Sequence, residues 1–181
     1  MMIDLTKKAL PNVIEINGKA FSIYTDFRVW MKFEIELTKV TSKDQTIDIG
    51  YLFKNERPMY CDVNELLTFA RPKNVLPRQI GTSSDAIAID FEIDSDLIYS
   101  AFLGQYGIDL VEVEELHWHK FLALLRGLND STLLHQVMQY RMYEKSNEKG
   151  DPYQKLRDMW EIERITPEEQ AEIDEINAMF K

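Results

Sequence analysis

The sequence has few of the residues that are typical of catalytic or cross-linked proteins. Its 181 residues include one cysteine, three histidines and seven glycines. The single cysteine, Cys61, excludes an intrachain disulfide, and the scattered glycines form no phosphate-binding loop. No stretch approaches the roughly 20 apolar residues of a membrane span, and the N-terminus lacks a secretory signal pattern. We therefore expect a cytosolic protein.

The charge balance disfavours anionic partners. The chain carries 21 basic and 31 acidic residues, a formal net charge of −10. Such a protein repels phosphate backbones and anionic lipid, so we expect neither nucleic acid nor a membrane as a partner. Residues 158–181 hold eight acids and two bases, a net of −6. A basic protein surface is the natural complement of this stretch.

The candidate chemical residues do not form a recognisable site. His117 and His119 lie two positions apart, roughly 200° around a predicted helix, and so cannot share a metal ion there. We expect one of these imidazoles to be buried and hydrogen-bonded and the other to be solvated. Cys61 precedes a predicted helix start, where a thiol pKa can fall, but no histidine lies nearby in sequence. We therefore expect no catalytic residue, no metal and no cofactor, and a protein that is not an enzyme.

The clearest local pattern is a β-hairpin near the N-terminus. Asn17 and Gly18 tolerate the positive φ that a type I′ turn requires, and β-branched and aromatic residues flank them over 13–16 and 19–24. A hairpin alone is marginally stable, so it must pack against helices.

Helical spacing of apolar residues dominates the rest of the chain. We predict a first helix from Asp26 to about Val40 and a second that begins at the capping box 62–65 and ends before Pro72. A third helix is capped by Asp94 or Ser95 and ends at Gly107. Further helices are predicted over 113–125, 130–143, about 153–160, and from 166 onward. Residues 72–84 read as a long loop. Residues 86–93 fit either a short strand or the extended entry to the next helix.

These patterns predict a mainly α fold, a helical bundle-like domain over residues 1–143 with a small N-terminal β-hairpin. Trp30 and Trp118 lie in apolar helical stripes and are expected in its core. Residues 144–181 are predicted to form an acidic helical extension. Its Trp160 and a stripe of apolar residues are candidate partner-binding residues, unless they dock onto the protein's own core; the stripe consists of Ile173, Ile176 and Phe180.

Three separated blocks resemble a known family. They are residues 21–34 (FSIYTDFRVWMKFE), residues 93–110 (IDSDLIYSAFLGQYGIDL), and LHWHKF at 116–121 with LLRGL at 124–128 and Tyr140-Arg141 after it. In this order they resemble the bacteriophage "gene product fifteen" family, typically encoded just before the tape measure protein. That family usually has tryptophan where His119 stands, so we expect no indispensable role at position 119.

The resemblance implies a role in phage tail morphogenesis. Proteins from this gene position are similar to tail assembly chaperones, which coat the tape measure protein, help to recruit tail tube subunits and are absent from the finished virion. It implies action in the host cell cytoplasm, the tape measure and tail tube proteins as partners, and self-association into a ring or spiral. The alternative is a structural or adaptor protein of the tail that is retained in the virion.

Overall fold

The protein is mainly helical. The structure, a computed structural model, describes residues 3–40, 46–71, 87–143 and 151–162, together with Ile176 and Met179. In these ranges a two-stranded hairpin precedes six helices, as the sequence predicts. A short 3₁₀ turn lies between the first two helices. The elements are β1 Val13–Ile16, β2 Lys19–Ser22, α1 Phe27–Thr38, the 3₁₀ turn Gly50–Leu52, α2 Val63–Ala70, α3 Ser95–Tyr106, α4 Trp118–Arg126, α5 Leu133–Arg141 and α6 Pro152–Trp160.

The hairpin forms at the predicted turn. Asn17 and Gly18 have φ values of 50° and 75°, so the turn uses the conformations that these two residues tolerate. The strands pair antiparallel, with Ile14 opposite Phe21. Ile14, Ile16 and Phe21 are buried while the alternate residues are exposed, so one face of the hairpin enters the core. Strand β1 contacts α2, which gives this face its partner.

Two helix starts follow from local hydrogen bonds that the sequence predicts. The Asp26 carboxylate accepts the Arg28 N–H and caps α1. Asp62 and Glu65 form the expected capping box. The Asp62 side chain accepts a backbone N–H of the first helical turn, and the Glu65 side chain accepts the Asp62 N–H. Helix α3 ends, as predicted, at Gly107, whose φ of 65° is left-handed. These three helix ends are confirmed. Each was predictable because it depends on residues that are neighbours in the sequence.

Helix α4 begins at Trp118, so the prediction of helix over 113–117 is wrong. The Trp118 N–H donates to the Thr25 carbonyl at 2.7 Å, and the Phe27 N–H donates to the Leu116 carbonyl at 2.8 Å. This short antiparallel pairing holds the chain extended until His117, whose side chain caps α4. A contact with the entry to α1 therefore overrides the local helical pattern.

Residues 87–93 contain no strand, and they enter α3 through a turn over 91–94. The Asp94 carboxylate does not cap α3 but lies in a buried ion pair with Arg141, and it accepts the Asp90 N–H at 2.9 Å. Of the two alternatives for this segment, the strand is therefore wrong. The predicted loop over 72–84 lies outside the described residues, as does the start of the helix predicted from 166.

Helices α5 and α6 begin within a few residues of their predicted starts. Thr132 caps α5, so this helix starts three residues after the expected Asp130, and Asp151 caps α6 at Pro152. The two helices contact each other, and the Tyr143 and Tyr153 rings stack with centroids 5.4 Å apart. Whether residues 144–181 form a separate unit stays a prediction.

The core is aromatic and centred on two tryptophans. Trp30 and Trp118 are fully buried, as predicted. Each indole N–H donates to a backbone carbonyl at 2.7 Å, that of Tyr24 for Trp30 and that of Ala70 for Trp118. The Phe121 ring stacks on Trp118 with centroids 5.6 Å apart, and further aromatic rings continue the cluster. This core joins α1, α2, α3 and α4.

Candidate protein-binding surfaces

Cys61 is unsuited to act as a nucleophile at neutral pH. Burial raises the pKa of its thiol to about 11, and the negative charges of Glu65 and Asp62 add to the effect. The thiol therefore stays protonated, although it lies next to a helix start, where the pKa can be lowered instead. Its Sγ hydrogen-bonds the Asp62 carbonyl at 3.4 Å.

His117 and His119 both bind backbone carbonyls. His117 Nδ1 accepts the His119 N–H at 3.1 Å, so its Nε2 carries the proton and donates to the Pro11 carbonyl at 3.0 Å. His119 Nε2 lies 2.9 Å from the Phe69 carbonyl, while its buried Nδ1 has no hydrogen-bond partner among the described residues. The expectation of one buried and one solvated imidazole is therefore too simple, since His117 is half-buried and also engaged.

The His119 imidazole and the Trp118 indole both bind the end of helix α2. The carbonyls at the end of a helix lack partners within it, and here Trp118 and His119 donate to two of them, at Ala70 and Phe69. Burial lowers the pKa of His119 to about 4, so the ring is neutral at pH 7. No group of three or more histidine, cysteine or acidic side chains in the described residues could hold a metal ion.

The predicted partner-binding residues of the C-terminal part have separate surroundings. Trp160 is half-buried at the end of α6, and its backbone carbonyl accepts Arg141 Nε at 2.6 Å. Ile176 is helical and half-exposed. Ile173 and Phe180 lie outside the described residues. The contact of Trp160 with Arg141 favours docking of α6 on the protein's own helices, and a binding role for these four residues stays a prediction.

Arg141 is a structural residue to which the sequence assigned no contact. Its guanidinium donates to both oxygens of the Asp94 carboxylate, at 2.6 and 2.9 Å, and to the Ala88 carbonyl at 3.3 Å. Both side chains are almost completely buried. Together with its bond to Trp160, Arg141 joins α5 to the start of α3 and the end of α6. The single sequence gives no signal for this pairing, because the two partners lie in different blocks.

An apolar groove opens between α1 and α3, and we call it the α1–α3 groove. Its volume is about 340 Å³. Phe27, Ile98 and Leu110 form its buried floor, while Val111 at its rim is 71% exposed. The residues that line it are Phe27, Met31, Ser95, Asp96, Ile98, Tyr99, Leu110 and Val111.

A second apolar groove lies beside the 3₁₀ turn, and we call it the Met59 groove. Its volume is about 660 Å³. Met59 is fully exposed at its edge and Tyr60 is largely exposed, so apolar side chains border it on the solvent side. The residues that line it are Phe33, Leu37, Val40, Thr46, Ile47, Ile49, Met59, Tyr60, Cys61, Val63 and Leu66.

The two grooves can bind apolar side chains of another chain. A surface groove with a mainly apolar lining is a candidate site for the apolar side chains of a partner helix. Sequence reasoning missed both grooves, because each combines residues from segments far apart in the chain. A usable signal was the presence of apolar residues in polar surroundings, such as Met59 before the Asp62 cap and Val111 before a run of acids.

The described helices include none long and apolar enough to cross a lipid bilayer. A search of the curated proteins and a search of the solved structures found no match. The family model for the bacteriophage Gp15 protein matches residues 6–162, which covers the hairpin and helices α1 to α6. The chain belongs to the bacteriophage Gp15 protein family.

Proposed function

We propose that this protein is a phage tail assembly chaperone that binds the tape measure protein and aids assembly of the tail tube in the host cell cytoplasm. The observation that carries the proposal is the pair of apolar grooves that open on the surface of a strongly acidic phage-family protein. A chaperone for a long helical client must cover apolar side chains while it keeps the complex soluble.

The side chains at these grooves suit a client with a varied sequence. Met31 lines the α1–α3 groove and Met59 lines the second groove. Methionine has three rotatable bonds and a polarisable sulfur, so it adapts to differently shaped apolar partners. The net charge of −10 opposes aggregation of the loaded complex.

We also propose that the protein self-associates when it coats its client. A long client presents many equivalent segments, and copies bound head to tail along it form a ring or spiral. The tail tube protein is a further partner in this scheme, because tube subunits polymerise around the coated client. Catalysis and cofactors have no part in this function.

The test is co-expression with the tape measure protein of the same phage. We expect the tape measure to become soluble and to elute with this protein as a large complex in light scattering. An unrelated aggregation-prone helical protein serves as the control client and should stay insoluble. If the tape measure stays insoluble and this chain elutes alone as a monomer, the chaperone function is wrong.

Two variants test the C-terminal candidates in the same assay. A chain ending at residue 162 keeps α6 and the Arg141 contact with Trp160 but lacks Ile173, Ile176 and Phe180. Trp160→Ala tests the remaining candidate. A partner-binding role predicts that each change reduces recovery of the soluble complex, whereas full recovery with both assigns client binding to other residues of the chain.

Mass spectrometry of purified phage particles separates the chaperone from the alternative, a structural or adaptor protein of the tail. A chaperone leaves the assembled tail, so we expect the protein to be absent from mature virions. Its presence at a stoichiometric level would favour the structural role.

A further inference from the structure

The α1–α3 groove has acidic side chains on one rim. Asp96 lines it directly, and Glu112 follows the rim residue Val111. Asp109 precedes the floor residue Leu110, and its carboxylate accepts the Tyr99 hydroxyl at 3.1 Å. The charges of Asp109 and Glu112 both act on Tyr99, which lines the groove, and contribute to raising the pKa of its hydroxyl. Three acids therefore lie near one rim of this apolar groove.

Two basic side chains of α1, Arg28 beside the groove and Lys32, already have partners. Arg28 donates to the Asp26 carboxylate and to the carbonyls of Leu110, Val111 and Val113. The Lys32 ammonium lies 4.2 Å from the centroid of the Tyr51 ring. Within the described residues, none of the three acids at the groove forms an ion pair. The groove therefore has three acids without an ion pair in the described residues beside its apolar floor, and Arg28, which is paired with Asp26, is the cation at its rim.

The apolar surface continues along α3. Asp96, Tyr99 and Leu103 lie at spacings of three and four residues and so share one helix face. Leu103 is 43% exposed and lies one turn beyond Tyr99. A groove of about 340 Å³ receives a few side chains rather than a whole helix. An amphipathic helix inserts such anchors at i, i+3 or i+4, and i+7 while it lies along the surface.

From these observations we propose that the α1–α3 groove binds a basic amphipathic helix of another protein, with apolar anchors over Phe27, Ile98 and Tyr99 and with lysine or arginine beside Asp96, Asp109 and Glu112. The inference rests on the proposed function only in making this helix part of the tape measure protein. The acidic C-terminal stretch, with a net charge of −6 over 158–181, is repelled by this rim, which argues against a second copy as the occupant.

The groove can be tested without the client. The probe is a fluorescein-labelled amphipathic peptide of leucine and lysine, roughly 18 residues long so that it forms a helix. The control peptide has the same pattern with glutamate in place of lysine. We expect the full chain to bind the lysine peptide in fluorescence anisotropy, with affinity that falls as salt rises, and to bind the glutamate peptide at least about tenfold more weakly.

The chain offers a matched pair of double variants. Val111→Ser with Glu112→Lys changes the rim of the groove, and Val13→Ser with Glu15→Lys makes the same chemical and charge changes on the exposed face of β1. All four side chains are exposed, so thermal melts of both variants should match that of the parent. We expect the groove variant to bind the lysine peptide about tenfold more weakly than the parent chain does. The hairpin variant should bind it no more than about twofold more weakly.

Three outcomes would overturn the proposal. They are equal weakening by the two double variants, equal affinity for the two peptides, and a self-association that the groove variant abolishes while the lysine peptide does not bind. Co-expression separates this result from the proposed function. If the groove variant still makes the tape measure soluble, the chaperone function stands and the groove is not its client site. If the unaltered chain binds the peptide in the groove but fails to solubilise the tape measure, the groove stands and the chaperone function fails.

Discussion

The region around Trp30 and Trp118 and the region around Arg141 are equally buried, yet different interactions stabilise them. In the tryptophan region, neutral rings pack on one another, and each indole makes one hydrogen bond to a carbonyl. In the Arg141 region, one guanidinium satisfies the Asp94 carboxylate and two carbonyls from different segments. Apolar packing tolerates the partial loss of contacts, whereas a buried charge requires its partner.

The difference matters for the C-terminal part of the family match. Helix α6 is held by the bond from Arg141 to the Trp160 carbonyl and by the bond from Arg157 to the Tyr143 carbonyl, at 3.2 Å. The Arg141 side chain therefore couples the docking of α6 to the start of α3, whose exposed face borders the α1–α3 groove. In the part of the chain that the structure describes, the hydrogen bonds of Trp30 and Trp118 go to Tyr24 and Ala70 and not to α6. A change at Arg141 is expected to affect distant segments together.

The largest effect is expected when Arg141 is replaced. Arg141→Met leaves the Asp94 carboxylate buried without a cation, and removal of one partner of a buried ion pair costs about 3–5 kcal/mol. The free energy of unfolding, measured by urea denaturation of the full chain, should fall by this amount. Combination with Asp94→Asn should recover part of the loss, because the uncompensated charge is then gone.

The matched control for Arg141 is Lys39→Met. Lys39 pairs with Glu92 at 2.8 Å, also near the start of α3, but both side chains are more than half exposed. A solvent-exposed pair contributes at most about 1 kcal/mol, so this variant should unfold almost like the parent. Similar losses for Arg141→Met and Lys39→Met would contradict the distinction between a charge-dependent region and an exposed pair.

A smaller effect is expected from conservative changes of tryptophan. Trp118→Phe removes the indole that donates to Ala70 and leaves a small void, at a cost of about 2–3 kcal/mol. Trp160→Phe alters a half-buried side chain whose indole makes no hydrogen bond to the described residues, so it should cost about 1 kcal/mol or less. Urea denaturation measures both. If Trp160→Phe proved the more costly, the tryptophan of α6 would belong to a core as important as that of α4.

The comparison also explains which features could be predicted from the sequence. The turn at Asn17-Gly18, the cap at Asp26, the capping box at 62–65 and the end of α3 at Gly107 depend on residues a few positions apart, and all of them are confirmed. The burial of Trp30 and Trp118 followed from helical spacing alone.

Features that depend on distant residues were missed or mistaken. Because Trp118 pairs with Thr25, α4 starts later than predicted. The Asp94 carboxylate, one of the two expected caps of α3, binds Arg141 instead of capping the helix. The two grooves belong to the same class, since their linings combine residues from several segments. Sequence reasoning therefore located the helices that border the candidate binding grooves but not the shape of the grooves.

A pH-dependent effect is expected from a histidine at the edge of the tryptophan region. Burial lowers the pKa of His119 from an ordinary 6.5 to about 4, so the folded protein binds this proton less readily than the unfolded chain does. Stability from the neutral ring is fully present above pH 6.5 and is lost as the pH falls from there toward 4. At pH 5 the loss amounts to about 2 kcal/mol relative to pH 8.

Replacement of His119 isolates this contribution. In the parent chain His117 adds to the slope, because burial lowers its pKa as well, so the comparison is between variants rather than with an absolute value. His119→Phe should flatten the dependence of unfolding free energy on pH between 8 and 5 by about 2 kcal/mol. It also removes a buried nitrogen that forms no hydrogen bond within the described ranges. His135→Phe, at a site whose imidazole lies 3.2 Å from the exposed Asp130, keeps His119 and should keep its slope. If His119→Phe left the slope unchanged, the imidazole would take up a proton in the folded state. The contact of α4 with the end of α2 would then open at a free energy well below that of global unfolding.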